Sequence, residues 1–103
     1  ISIRDFTYGG DTARALMAIM CNLEGPVNMG SGQRHPIRDI VEALQDQTGV
    51  DVEWDADKPD GQLVRYYNLD RLQSTGFKAK MKLVDGVQEV YRWYTKNSGT
   101  ARR

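Results

Sequence analysis

Cysteine and histidine are almost absent from this sequence, which has one of each, Cys21 and His35. One cysteine leaves no intramolecular disulfide and fits a reducing compartment better than a secreted one. Cys21 falls in a helix-like run and reads as a buried structural residue. One histidine with one cysteine makes no nitrogen or sulfur metal site, and no zinc-ligand spacing exists, so no metal is expected. Long apolar runs are missing too: none approaches the roughly 20 residues that span a bilayer. The amino-terminal stretch lacks the basic and apolar regions of a signal peptide. These absences point to a cytoplasmic protein with no membrane partner. Charge of one sign is also lacking, since 14 basic residues balance 14 acidic ones. No global field draws the chain to nucleic acid or anionic lipid, and any anion site must be local.

What remains is the composition of an ordinary globular chain, 40% hydrophobic and 27% charged over 103 residues. That length suits one domain and is too short for two independent ones. The sequence opens on Ile1-Ser2-Ile3 without a Met and directly in a strand-like alternation, which reads as a processed chain or a piece of something longer.

Ile1, Ile3, Phe6 and Tyr8 interleave with polar residues at roughly the period of a half-buried strand. Gly9-Gly10 breaks this strand, Asp11 is a suitable N-cap, and Ala13, Leu16, Met17 and Met20 recur at helical spacing. After the turn Glu24-Gly25-Pro26, Val27 and Met29 flank Asn28 in a short second strand that runs into Gly30-Ser31-Gly32. Pro36 suits the first turn of a helix with the buried stripe Ile37, Ile40, Val41 and Leu44, and Gly49 stands at its left-handed C-terminal cap. Val50, Val52 and Trp54 alternate with acidic residues as a third strand. A polar loop 56–62 follows. Asn68 caps a short helix with Leu69 and Leu72 that stops at Gly76, and Val87, Val90, Tyr91 and Tyr94 define a last amphipathic helix. The order predicts an α/β fold, a small three-stranded sheet with three to four helices. Three strands are few for a self-sufficient sheet, so an edge or face is expected to meet something else.

Several chemistries are excluded or weakened. Gly30-Ser31-Gly32 lies between strand and helix as a dinucleotide loop would, but the third glycine of G-x-G-x-x-G falls on His35. A tight turn is favoured over phosphate binding there. His35 beside Ser31 suggests no triad, and a solvated loop histidine is the better account. Asp55 and Asp57 have no apolar neighbours to raise a carboxyl pKa and read as solvated. Tyr91 and Tyr94 continue a helical core stripe, with Trp93 off it, so core packing is favoured over a stacking platform.

Arg4-Asp5-Phe6-Thr7-Tyr8, followed by Asp11 and Ala13, resembles the R-D-F-T-Y-V-D-D-V-A segment of the extended short-chain dehydrogenase/reductases, the NAD-dependent sugar-nucleotide epimerase/dehydratase family. Gly25-Pro26-Val27-Asn28-Met29-Gly30-Ser31-Gly32 is similar to its G-x-x-x-N-[IV]-G-[ST]-G strand. Pro36-Ile37-Arg38-Asp39-Ile40 is similar to its S-I-R-E-L-A helix opening. Lys58-Pro59-Asp60-Gly61, with Arg65 and Asp70-Arg71-Leu72, resembles a segment of GDP-fucose synthase and related members. The stretch from Gly76-Phe77-Lys78 to Tyr94 also matches in order. Residues 1–97 carry the resemblance, and 98–103 read as a flexible tail. Departures are Gly9-Gly10 for the usual Val-Asp, His35 where a Ser or Thr cap is common, and Asn68 for Asp.

The resemblance implies the carboxy-terminal, substrate-binding domain of such an enzyme without its Rossmann domain, which in the family holds NAD or NADP. The family's Tyr-x-x-x-Lys pair is absent: the residues four places after Tyr8, Tyr66, Tyr67, Tyr91 and Tyr94 are Thr12, Asp70, Arg71, Thr95 and Ser98. The expectation is therefore no catalytic residue and no cofactor in this chain. Binding of a nucleoside-diphosphate sugar is expected instead, weak in isolation. By motif position Arg4 and Arg65 are the first candidates for the diphosphate, Lys58 for a further basic contact, and Asp60 for sugar or ribose hydroxyls. Read without the resemblance, Arg4 pairs with an acidic cross-strand neighbour and Lys58, Asp60 and Arg65 are a solvated loop. The competing function is a free-standing non-catalytic module that self-associates or binds a protein partner, such as a missing Rossmann domain, through its orphaned edge and apolar face.

Overall fold

Three stretches of backbone meet at Ile3. In the computed structural model, which describes residues 2–59 and 61–100, Ile3 and Arg4 form strand β1 (Ile3–Arg4). This pairs antiparallel with β2 (His35–Pro36), with Ile3 opposite Pro36 and Arg4 opposite His35. The Ile37 amide donates to the Ser2 carbonyl at 3.0 Å. On the other edge the Ile3 amide donates to the Leu63 carbonyl at 2.7 Å and the Ile3 carbonyl accepts from the Arg65 amide at 3.1 Å. That is a parallel bridge between Ile3 and Val64.

The sheet is thus two-stranded among the described residues, and the expected three strands need correcting. Val27–Met29 and Val50–Trp54 are not strands, and β2 lies where a loop and a helix opening were expected. Val50, Val52 and Trp54 are exposed. Alternation marks a backbone able to pair, and pairing also requires a neighbour.

Among the described residues four helices surround this junction: α1 (Gly9–Asn22), α2 (Ile37–Thr48), α3 (Asp70–Gln73) and α4 (Leu83–Asn97). Helix α1 starts two residues before the expected cap, with Tyr8 at the N-cap and the Thr12 amide on its carbonyl at 3.0 Å. Ala15 is fully buried, and α1 contacts α3. Leu16, Met17 and Met20 face outward, Met20 at 71% exposure. Cys21, expected to be buried, is exposed as well. Helix α2 ends as its sequence predicts, at Gly49 with φ +71° and its amide on the Gln45 carbonyl. Its buried residue is Ala43, while Ile40, Val41 and Leu44 are half-buried and Ile37 is exposed. Leu69, not the expected Asn68, is the N-cap of α3, and Asn68 Oδ1 accepts the Asp70 amide at 2.9 Å from one residue before it. Leu69 and Leu72 on that turn are the largest core residues.

Helix α4 lies against α2. At Gly86 a Cβ would stand 3.2 Å from Met81 Cγ and 3.6 Å from a Tyr8 ring carbon, so glycine lets this helix approach Tyr8. Phe6 to Tyr8, Ile40, Leu44, Val87 and Tyr91 line an apolar groove of about 370 Å3 between α2 and α4. Val90 and Tyr94 are exposed while Val87 and Tyr91 are half-buried, so the expected core stripe is only half covered; Trp93, expected off the stripe, is exposed. The buried hydrophobic residues are Ala15, Ala43, Leu69 and Leu72. With so thin a core the radius of gyration is 15.8 Å, against about 13 Å for an average domain of this length. No helix among the described residues is long and apolar enough to cross a membrane.

Polar clamps supplement the core. Arg71 donates to the Pro26 carbonyl at 2.6 Å and the Glu24 carbonyl at 2.8 Å, tying α3 to the turn before Val27. Asp11, freed from capping, is 4% exposed. Its carboxylate accepts the amides of Lys80 and Met81 at 3.1 and 3.0 Å and Arg14 Nη1 at 2.8 Å. Burial raises its pKa, but the Met81 and Lys80 amides and the Arg14 guanidinium outweigh burial and hold the carboxyl below its ordinary value. A carboxyl so depressed adds stability above its unfolded pKa of about 3.9 and loses it as pH falls through the folded value. Asp11→Ala should therefore cost about 2 kcal/mol at neutral pH, the scale of a buried charge-assisted hydrogen bond. In urea melts the gap from the parent chain should close below pH 4, and a pH-independent gap would refute this account.

Candidate functional site

Arg4 and Arg65 are brought together by the parallel bridge. Because Ile3 is in register with Val64, the residues that follow them stand side by side on adjacent backbones, about 4.8 Å apart along the hydrogen-bonding direction. Both guanidinium groups reach Gln62: Arg4 Nη2 donates to its carbonyl at 2.7 Å and Arg65 Nε to its Oε1 at 3.2 Å. Arg4 Nη1 donates to the Ile3 carbonyl at 2.9 Å. The result is a pair of fixed cations at one edge of the junction. Planar guanidinium forks suit the tetrahedral oxygens of phosphate, and their charge does not titrate near neutrality.

The other candidates lie apart or undescribed. Lys58 is exposed in a turn, its amide on the Asp55 carbonyl at 3.3 Å, and no described contact joins it to either arginine. Asp60 lies outside the described residues. Asp55 and Asp57 are exposed as expected. His35 departs from the solvated loop histidine expected: it is half-buried in β2, with Nδ1 2.8 Å from Asp39 Oδ2 on the first turn of α2.

The glycine loop shows what sequence reasoning missed. The Asp5 carboxylate accepts the Ser31 amide at 3.0 Å, the Ser31 hydroxyl at 2.5 Å and the Gly32 amide at 2.8 Å, with Thr7 Oγ1 at 3.2 Å. Successive amides turned to one side make an anion-attracting nest, and here the chain's own carboxylate fills it. Gly30-Ser31-Gly32 is therefore a turn closed by Asp5, and its Ser31 and Gly32 amides are not arranged to hold the pyrophosphate of a dinucleotide such as NAD or NADP. A signal was present in the sequence, an aspartate beside Arg4 and a glycine loop whose amides need an acceptor, but only the fold shows that the two meet. Beyond the loop, Arg34 lies over the Tyr66 ring at 3.6 Å, a stacking contact that links loop and Arg65 strand.

No family model matches the chain. GDP-L-fucose synthase 1 of Arabidopsis thaliana is 34% identical over 99 residues, covering 92% of this chain and 31% of that protein. The structure of RMD from Pseudomonas aeruginosa complexed with NADPH superposes with a TM-score of 0.78 at 25% identity, over 92% of this chain and 33% of the other. The chain is a relative of the NAD(P)-dependent sugar-nucleotide epimerase/dehydratases. UDP-glucose 4-epimerase from Bifidobacterium longum, solved with NAD+ and UDP, shares the fold at a TM-score of 0.77 and 19% identity, over 97% of this chain and 32% of the other. The α/β arrangement is thus the one found in solved epimerase/dehydratase structures. The chain spans about a third of the length of the curated relatives it matches.

The Asp5 clamp carries a local prediction. A Cβ on Gly30 would stand 2.8 Å from Asp5 Oδ2 and 3.4 Å from a Tyr67 ring carbon, so Gly30→Ala should push the carboxylate off its donors. Crowding of this kind costs about 1–3 kcal/mol. Chemical denaturation should show that loss, and the amide resonances of Ser31 and Gly32 should move most. Unchanged amide shifts would mean that the loop does not depend on the clamp.

Proposed function

We propose that this chain is the carboxy-terminal, substrate-side part of a sugar-nucleotide epimerase, dehydratase or reductase, and that it binds the diphosphate of a nucleoside-diphosphate sugar through Arg4 and Arg65. The observation that carries the reading is the convergence of these two guanidinium groups on Gln62 from adjacent backbones. Lys58, on the preceding loop, adds a mobile positive charge, and Asp60 accepts from the sugar or ribose hydroxyls. The chain contributes orientation and charge neutralisation and takes no part in hydride transfer. NAD or NADP and the acid–base pair of the reaction belong to a Rossmann portion of the enzyme. Relatives named for GDP-sugar and UDP-sugar chemistry support the ligand class.

Affinity of the isolated chain should be weak, since half the contact surface is supplied elsewhere. Saturable shifts at Arg4 and Arg65 are expected on titration with GDP- or UDP-sugars. Arg4→Ala or Arg65→Ala should each weaken binding roughly 10- to 100-fold, the equivalent of about 1.5–3 kcal/mol for a charge-assisted contact. No response at millimolar ligand would refute the reading.

A second reading rests on a different observation, the outward-facing Leu16, Met17 and Met20 of α1 and Val90 and Trp93 of α4. Apolar faces of this kind favour association. Sedimentation separates the two: a stable dimer indifferent to nucleotide sugars supports a self-associating module, and a monomer that binds them supports the first reading.

A further inference from the structure

The segment 30–34 touches both arginine-bearing backbones without contributing a candidate ligand contact of its own. Toward β1 it presents the Ser31 hydroxyl and the amides of Ser31 and Gly32, all donated to Asp5, the residue after Arg4. Toward the 63–65 stretch it presents the Arg34 guanidinium, stacked on Tyr66, the residue after Arg65. Neighbouring residues of an extended strand direct their side chains to opposite faces. A carboxylate fixed on the residue that follows Arg4 therefore constrains the end of β1 and with it the direction in which Arg4 leaves. The stack on Tyr66 does the same for Arg65. Strand β1 has only two residues in its ladder, so the backbone alone constrains this rotation poorly.

We infer that Asp5 is a positioning residue, with Arg34 as its counterpart, and that the 30–34 loop fixes the placement of the Arg4 and Arg65 side chains relative to each other. This rests on the diphosphate reading above and adds to it the requirement of a fixed spacing. A ligand with two phosphates senses the spacing between two cations, and one with a single phosphate does not. Preorganised donors gain affinity by avoiding the cost of ordering on binding.

The charge of Asp5 makes the test discriminating. Simple electrostatics predicts that Asp5→Asn, which removes a negative charge beside an anion site, tightens binding of any anion. Positioning predicts the opposite for a diphosphate. With UDP and GDP as probes, Asp5→Asn should weaken binding about tenfold, the loss expected when a charge-assisted clamp is released. Affinity for inorganic phosphate should stay within about twofold, or rise, on the same electrostatic grounds. Ser31→Ala, a milder change that leaves three donors on Asp5, should act in the same direction and less strongly. Arg34→Ala should also weaken UDP and GDP more than phosphate.

A general loss of fold would weaken both ligand types alike and lower the thermal midpoint in step, and that pattern overturns the inference. Unchanged or tighter diphosphate binding in Asp5→Asn overturns it too, while leaving Arg4 and Arg65 as ligand contacts. Absence of UDP and GDP binding by the parent chain overturns the diphosphate reading. In that event the ordering of Arg4 is still measurable without ligand: relaxation of its Nε–H should show a more mobile side chain in Asp5→Asn, and equal mobility removes the positioning role.

Discussion

The carboxylate of Asp5 closes the loop at Gly30-Ser31-Gly32, and the arrangement of the chain around Ile3 depends on it. One end of that loop comes from the coil that Arg71 ties to α3, and the other runs into β2 and α2. Asp5 itself follows β1. A single ionised side chain therefore joins the first strand to the segment that carries its antiparallel partner. Three of its donors come from two consecutive residues, Ser31 and Gly32. Charge-assisted hydrogen bonds contribute about 1.5–3 kcal/mol each, and whole domains are stable by only about 5–15 kcal/mol. On that scale one such cluster can decide whether a two-residue strand holds its register.

Polar clamps matter more here than in most chains of this size because the apolar interior is small. Among the described residues, Leu72 is the one large side chain that is essentially inaccessible. Full burial of a Leu or Met side chain is worth about 1.5–3 kcal/mol, and Leu16, Met17 and Met20 are each more than half exposed. Asp11 offsets part of what α1 lacks in packing by holding the 80–81 backbone directly. Arg14 reinforces the same joint, donating to the Lys78 carbonyl at 3.0 Å and lying 5.2 Å from the Phe77 ring centroid. The helices are thus held more by ends and loops than by broad apolar faces.

Local signals were legible in the sequence, and contacts between distant segments were not. Gly49 caps α2 and Asn68 holds the turn before α3 because a left-handed glycine and a side-chain acceptor meet needs of the backbone immediately beside them. Helical periodicity located α1, α2 and α4. The first strand was legible in part, as β1, but the third failed because Val50, Val52 and Trp54 carry the right alternation with no ladder partner among the described residues, whereas His35–Pro36 carries no alternation and pairs with β1. Asp11 illustrates the same limit: its position suggested a cap, and its donors lie about 70 residues away in the chain. The arginines of the candidate site were found through motif resemblance, but their adjacency follows from the Ile3–Val64 bridge, which no pattern in residues 62–65 announces.

The balance of charge explains why the clamp and the candidate ligand site occur together. A chain with no net charge has no long-range attraction for a diphosphate, so it must rely on a few cations held at fixed positions. A nest of free amides at Ser31 and Gly32 would compete for the same ligand. With Asp5 in the nest, that attraction is neutralised internally. The guanidinium groups of Arg4 and Arg65 are held on Gln62 by neutral acceptors, which on the proposed reading leaves their charge for an external anion. On the proposed reading, Arg4 meets the ligand while Asp5, the next residue in the chain, meets the glycine loop.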